Sequence, residues 1–225
     1  MRELILFMHI SLDGYVAAAE KTSQPTTNGD SESEDDGTVD DQGIMDTVVP
    51  KLTSGSDTLL LGRLVADELL GYWLTAETKY PDLSSGYRAY ARWATDARKA
   101  VISNTEERLP WENSELLLVK NDEDMVRTVS ALKRQPGKNI VFHGGVRTAQ
   151  NLARLNLIDE YQLVVEPEAL GDGKPLFRNL TDKLKLNLVE ATALKAGDVF
   201  LRYRPATVTK ALRAIAYSPL PACMH

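Results

Sequence analysis

Apolar residues in this chain fall into short, near-continuous runs separated by stretches of helical period. "ELILFMHI" (3–10) has the length and content of a strand buried on both faces. "SLDGYVA" (11–17) follows, with a turn signal at Asp13-Gly14. "GIMDTVVPKL" (43–52) predicts a helix with Pro50 near its end. "DTLLLGR" (57–63) predicts a buried strand, and "LVADELLGYW" (64–73) a helix stopped by Gly71. A helix is expected over 84–99, with Tyr87, Tyr90 and Ala91 near one face at i, i+3, i+4.

"KAVISN" (99–104) and "SELLLVK" (114–120) read as strands. "NDEDMVRTVSALKRQPG" (121–137) carries the fullest helix grammar. Asn121 or Asp122 caps it, acids fill its first turn, and Met125, Val129 and Leu132 form its apolar face. Lys133 and Arg134 close it before Pro136-Gly137. "NIVFH" (139–143) is a strand and "VRTAQNLARLN" (146–156) a helix. "DEYQLVVEP" (159–167) is a further strand, and 184–194 with 198–205 a closing antiparallel pair. Strands and helices alternate until strands gather at the end. The expected fold class is therefore α/β: a mixed, mostly parallel twisted sheet with helices on both faces and a C-terminal antiparallel strand pair.

Three of these strands finish in small or polar residues: "LLLGR", "VISNT" and "VFHGG". Ligands of open α/β sheets collect outside the carboxyl ends of strands. The helix that starts at Val146, after Gly144-Gly145, directs its first N–H groups there, which suits a phosphate. A helix dipole supplies only about 0.3–2 kcal/mol, whereas micromolar binding needs roughly 8 kcal/mol. Arg63, after Gly62, and the donors of Ser103, Asn104 and Thr105 are the candidate supplements. Alternatively, the glycine pair is a tight turn, Arg63 a surface ion-pair former and "SNT" an ordinary loop opening. The G-x-G-x-x-G dinucleotide fingerprint is absent.

Composition narrows the classes. With 225 residues, 43% hydrophobic, the chain has enough material for a sizeable core. No apolar run reaches the roughly 18–20 residues of a membrane span. The net charge of −6 is concentrated in residues 20–43, which hold eight carboxylates and one lysine; 25 basic and 24 acidic groups remain elsewhere. So balanced a body argues against a nucleic-acid partner. The acidic stretch reads as a polar loop insert. Its "DSESEDDG" (30–37) fails as a calcium loop, because Asp35 stands where glycine belongs and Asp41 where the closing glutamate belongs. One cysteine, Cys223, rules out an intramolecular disulfide or a Cys-rich metal site, and fits a reducing cytoplasm.

The ordered segments "SLDGYVA" (11–17), "TLLLGR" with "ELLGYW" (58–73), "KAVISNT" (99–105), "IVFHGG" (140–145) and "LIDEYQLVVEPEALGDGKPLF" (157–177) resemble a known family. They are similar to the dihydrofolate reductase-like fold, in the branch of the RibD C-terminal (riboflavin-biosynthesis reductase) domain. The resemblance spans about residues 3–205, apart from the acidic insert, and leaves 206–225 as a C-terminal extension, either docked on a partner subunit or disordered. It implies NADPH lying across the strand ends, with NADH left open. Gly62 and Arg63 would meet the cofactor phosphates, Ser103 and Thr105 the adenosine 2′-phosphate, and Gly144 and Gly145 the pyrophosphate. Relatives commonly carry a threonine after Gly-Arg-x, where this chain has Val65.

Hydride transfer leaves the protein to orient the reactants and supply a proton. Asp13 is the candidate acid and substrate contact, and Trp73 a candidate pocket wall. His143 either flanks the nicotinamide or is a hydrogen-bonded core residue; Glu166 and Glu168 stand where they could approach substrate; Glu160 reads as structural. The expected activity is an NADPH-dependent reductase of a small pteridine- or pyrimidine-like heterocycle, working as a cytoplasmic homodimer. The alternative is a nucleotide-binding or regulatory module of the same fold without turnover.

Overall fold

The computed structural model of the chain describes residues 1–18, 42–80, 82–106 and 108–206. Most of the acidic stretch, including 30–37, and the tail 207–225 with Cys223 lie outside the described residues. The chain opens with strand β1 (Leu4–Ser11) and, after the Asp13-Gly14 turn, a short strand β2 (Tyr15–Ala18) that the pattern had not indicated.

The single helix expected over 43–52 is two, α1 (Gln42–Thr47) and α2 (Val49–Ser54). Pro50 belongs to the first turn of α2, where its missing N–H costs nothing, so it begins a helix rather than ending one. Gln42, assigned above to the acidic loop alone, belongs to α1, together with Gly43, where the predicted helix began.

Strand β3 (Ser56–Gly62) passes directly into α3 (Arg63–Trp73). Gly71 does not stop this helix. Glycine costs about 1 kcal/mol against alanine there, less than the roughly 1.5–3 kcal/mol gained by burying a large apolar side chain, and Leu70 and Trp73 both reach the core. Next come α4 (Ala76–Lys79) and α5 (Ser85–Asp96). The helix expected to reach residue 99 stops at Asp96. Lys99, buried in the following strand, donates Nζ to the carbonyls of Thr95 (2.7 Å) and Ala97 (3.0 Å), closing the helix end.

β4 (Arg98–Ser103) and β5 (Ser114–Leu118) precede α6 (Asp122–Arg134), where Asn121 accepts from the Asp124 amide at 2.9 Å. Then follow β6 (Asn139–His143), α7 (Val146–Arg154), β7 (Glu160–Glu166), β8 (Gly173–Pro175), β9 (Leu186–Ala193) and β10 (Val199–Pro205).

The strands form an eight-stranded sheet in the order β5-β4-β3-β6-β1-β7-β10-β9, and β2 pairs antiparallel with β8. The first six are mutually parallel, whereas β10 runs antiparallel to both β7 and β9. This is the expected mixed, mostly parallel sheet.

Central β1 explains its own sequence. Leu4, Leu6, Met8 and Ile10 face a core shared with α6 and α7, while Ile5 and Phe7 face another shared with α1, α2 and α5. Burial on both faces is why the strand reads as a continuous apolar run.

At the opposite end of the sheet from the strand tips, charge ties the antiparallel pair to the centre. Arg204 of β10 donates to both carboxylate oxygens of Glu3 (2.9 and 2.8 Å) and to the buried carboxylate of Glu160 (3.0 Å). Gln162 also donates to Glu160, at 2.7 Å. Removing the guanidinium leaves Glu160 buried with one neutral donor. Breaking a buried pair costs about 3–5 kcal/mol, and partial exposure of Arg204 lowers that here to about 2–3 kcal/mol. Arg204→Ala is therefore expected to lose about 2–3 kcal/mol of unfolding free energy in a urea titration, and Arg204→Lys less.

Candidate coenzyme and substrate site

Parallel pairing brings the carboxyl ends of β4, β3, β6, β1 and β7 to one edge. There Gly62, at the end of β3, and Gly145, before α7, lie close together. A Cβ on Gly145 would lie 3.5 Å from the Gly62 Cα, and one on Gly62 would lie 3.8 Å from the Gly145 Cα. These glycines occupy the N-cap positions of α3 and α7, and neither helix has a side-chain cap. Two helix N-termini thus converge at one point. Neither has an acid in its first turn, and each has an arginine, Arg63 or Arg147. Helix α6 of the same chain shows the ordinary arrangement, with three acids and an asparagine cap.

The glycine pair also has reasons internal to the chain. Gly144 (φ +85°) and Gly145 (φ +90°) hold left-handed backbone. A Cβ at 144 would come within 2.8 Å of Val65 Cγ1, and one at Gly62 within 2.7 Å of Thr148 Oγ1. Val65, the departure from the family pattern, thus packs over Gly144.

Arg63 forms an ion pair with Asp67 one turn along α3, and its guanidinium lies over the Trp111 ring, 5.8 Å from the centroid. Ser103 is buried, and its Oγ accepts from the Thr105 amide at 3.1 Å; Asn104 and Thr105 are exposed. The "SNT" stretch therefore presents Asn104 and Thr105 on a turn that Ser103 shapes from inside.

Beyond the glycines, β6 pairs with β1 only as far as Phe7–His143, while β1 continues beside β7 to Ser11–Glu166. The sheet edge is stepped there. Asp13 stands at the tip of β1, and its carboxylate accepts from Ser11 Oγ (2.6 Å) and from the amides of Leu170 (3.1 Å) and Gly171 (2.7 Å). The Ser11 hydroxyl, first, and the Gly171 amide hold it below the usual carboxylate range.

His143 takes the opposite course. It is half-buried, its Nδ1 is 2.6 Å from the Tyr90 hydroxyl, and its ring meets Phe7 and Tyr90 edge-on. Burial, with a smaller effect of His9, pushes it down to about 4, so it is neutral near pH 7. Burial likewise raises the Tyr90 hydroxyl. Trp73 is buried among Tyr72, Tyr87 and Tyr90. Its contacts make it part of the core beside His143. On the same face, His9 Nδ1 lies 3.1 Å from Glu166 Oε1.

The model of the RibD C-terminal domain family matches residues 2–200. The chain belongs to that family. It is 29% identical over 147 residues to the uncharacterized protein YyaP of Bacillus subtilis (strain 168), covering 65% of this chain and 73% of that protein. Among solved structures it is similar to a candidate riboflavin biosynthesis protein from Shewanella sp. PV-4, with 23% identity and a TM-score of 0.59 over 91% of this chain and 99% of that one. It is also similar to the diaminohydroxyphosphoribosylaminopyrimidine deaminase/5-amino-6-(5-phosphoribosylamino)uracil reductase of Thermotoga maritima, with 16% identity and a TM-score of 0.53. That likeness covers 91% of this chain and 57% of the longer Thermotoga protein. These likenesses show the fold.

In this RibD C-terminal domain, sequence reading passed over Arg147, Thr148, Trp111 and His9. The first-turn arginine of α7 was legible, as a cation at the helix end that disfavours cations. Trp111 was not, because its contact with Arg63 joins residues distant in the chain. A cavity of about 230 Å³ lies on the far side of β1 from the glycine contact, between α1–α2 and β7, β9 and β10. Thr47, Lys51, Gln162, Glu190, Phe200 and Arg202 are among its walls. It is thus separate from the helix N-termini. Among the described residues no three His, Cys, Asp or Glu side chains are grouped to hold a metal, and no described helix is long and apolar enough to cross a membrane.

The His143 imidazole makes stability depend on pH in a defined direction. Between about 4 and 6.5 the unfolded chain protonates His143 and the folded chain does not. Its contribution is complete above 6.5 and is lost as the pH falls toward 4. The melting temperature of His143→Gln should therefore fall less steeply than that of wild type across this window.

Proposed function

We propose that this RibD C-terminal domain is an NADPH-dependent reductase of a small pyrimidine- or pteridine-like heterocycle. The observation that carries the proposal is the convergence of two uncapped helix N-termini, each with an arginine in its first turn, at one glycine–glycine contact. Cations there run against the helix dipoles, among the described residues Asp67 meets only Arg63, and a bound anion would complete the arrangement. A dinucleotide pyrophosphate is such an anion. The substrate class follows the reductase activity in the name of the Thermotoga relative.

The residues present fit such a cofactor. The amides at the starts of α3 and α7 would meet the pyrophosphate, with Val146 first in its helix. Arg147, Asn104 and Thr105 offer exposed donors beside it, and Arg63 adds charge from its seat on Trp111. A bound dihydronicotinamide supplies a hydride. The step in the sheet beyond Gly144 and Gly145, flanked by the free run of β1, offers room for the reactive ring. Asp13 serves as an ionised clamp on the 170–171 backbone rather than as the proton donor expected from its place in the turn.

The test is an NADPH and NADH titration, together with dihydronicotinamide oxidation in the presence of 5-amino-6-(5-phosphoribosylamino)uracil or dihydrofolate. A charge-assisted contact contributes about 1.5–3 kcal/mol, so Arg147→Glu should weaken NADPH binding by at least tenfold. For Arg63→Ala, a larger loss for NADPH than for NADH puts the guanidinium at the 2′-phosphate, and equal losses put it at the pyrophosphate. Binding without oxidation of either substrate supports a nucleotide-binding module; no thermal shift with either nucleotide sinks both readings.

The same domain is proposed to pair with a second copy. Among the described residues, strand β9, eight residues long, has a neighbour on one side only, and Leu188 and Val189 are exposed. Such an unguarded edge suits two-fold antiparallel pairing. A Leu188→Lys/Val189→Lys protein should sediment as a monomer where wild type sediments as a dimer.

A further inference from the structure

We propose that His9 is the residue that delivers a proton to the substrate, and that Glu166 positions its imidazole to do so. The assignment rests on the reductase reading. It begins from a break in pattern. Along β1, one face carries Ile5 and then Phe7, both buried; the next residue on that face is His9. Along β7, the same face carries buried Val164 and then Glu166. The register sets His9 beside Val164 and Ser11 beside Glu166, so the two polar residues meet across the strands where each apolar run ends. An imidazole and a carboxylate thus replace two apolar side chains at the same place.

The geometry gives the pair a direction. Glu166 Oε1 stands 3.1 Å from His9 Nδ1, and each side chain keeps about a third of its surface exposed (32% and 33%). A carboxylate accepts only, so the proton between them sits on Nδ1 and Nε2 becomes the exchanging nitrogen. Second-partner carboxylates fix histidine tautomers in this way at many reactive sites. His9 also lies two residues past Phe7, where β6 has ended and β1 borders the step in the sheet.

Two neighbouring groups are unsuited to the task. His143 is neutral, with Nδ1 held by Tyr90, and Asp13 is ionised and engaged by Ser11, Leu170 and Gly171.

The step balances. The acceptor carbon of a C=N or C=O group in the substrate receives the hydride with its electron pair. The π pair of that bond moves to the nitrogen or oxygen, which takes the proton from His9 Nε2. The imidazolium becomes neutral imidazole, still hydrogen-bonded through Nδ1–H to Glu166, and regains a proton from water. The dihydronicotinamide is oxidised to nicotinamide and the substrate reduced by two electrons.

The experiment compares wild type, His9→Gln and Glu166→Gln by three readouts. The first is the ¹⁵N spectrum of the His9 imidazole in the protein without ligands. Wild type should show Nδ1–H, and Glu166→Gln a shift toward the other tautomer. The second is NADPH affinity, expected within about twofold of wild type for both variants, which also reports that they fold. The third is turnover of 5-amino-6-(5-phosphoribosylamino)uracil or dihydrofolate. General acid catalysis contributes about 10²–10⁴-fold, so kcat should fall by that order in His9→Gln with the KM for NADPH unchanged, and by a smaller factor in Glu166→Gln. An unaltered ¹⁵N spectrum in Glu166→Gln overturns the positioning role. A His9→Gln enzyme with kcat within threefold of wild type overturns the donor role while leaving the reductase reading intact. A wild type that binds no NADPH sinks the reductase reading, and the donor role falls with it.

Discussion

The contact between Gly62 and Gly145 is the constraint on which the rest of the edge depends. Two β–α junctions on neighbouring parallel strands approach each other at these glycines, where a Cβ on Gly62 would run into Thr148 Oγ1 at 2.7 Å and Gly145 holds left-handed backbone. Because they meet, two helix dipoles add at one point instead of acting at separate places. Each contributes about 0.3–1 kcal/mol to an exposed anion. The sum is too small to hold a nucleotide but large enough to orient one whose phosphates are also met by guanidinium groups. Helix α6 starts in the same chain with three acids and a side-chain cap, so the bare, basic starts of α3 and α7 are local features.

On the other side of that contact, burial and hydrogen bonding give the ionisable groups different characters. His143 packs against Phe7 and Tyr90 and is kept neutral. Asp13 is surrounded by donors and kept ionised, which makes it a clamp between the first turn and the 170–171 backbone. His9 meets the Glu166 carboxylate and keeps its ring partly exposed. Three groups from one sheet edge, two of them the same residue type, acquire three characters from their surroundings. The same logic applies at the far end of the sheet, where Glu160 is buried as a carboxylate because Arg204 and Gln162 meet it.

Local signals were the most legible part of the chain. Helix α6 could be read almost to the residue, because its cap, first-turn acids, apolar face and last-turn bases all lie within one segment. The parallel strands were legible as continuous apolar runs for the same reason: burial on both faces leaves no polar alternation. Errors arose where a local rule met a tertiary gain. Gly71 reads as a stop, yet burial of Leu70 and Trp73 carries α3 through it. Pro50 reads as an end, yet the break at Val48 makes it a beginning. Strand β2 was missed because its partner β8 lies more than 150 residues away.

The sequence by itself determined the fold class, the strand ends that share an edge and the glycines and Arg63 that mark it, because each is written in nearest-neighbour chemistry or in an ordered set of motifs. Only the tertiary structure decided what those residues touch: Val65 over Gly144, Arg63 on Trp111, Asp13 on two distant amides, and Glu166 on His9. The physical reason is that a side chain's charge, exposure and partners come from strands and helices remote in sequence. Periodicity and turn chemistry report how a segment folds, not which segments it meets.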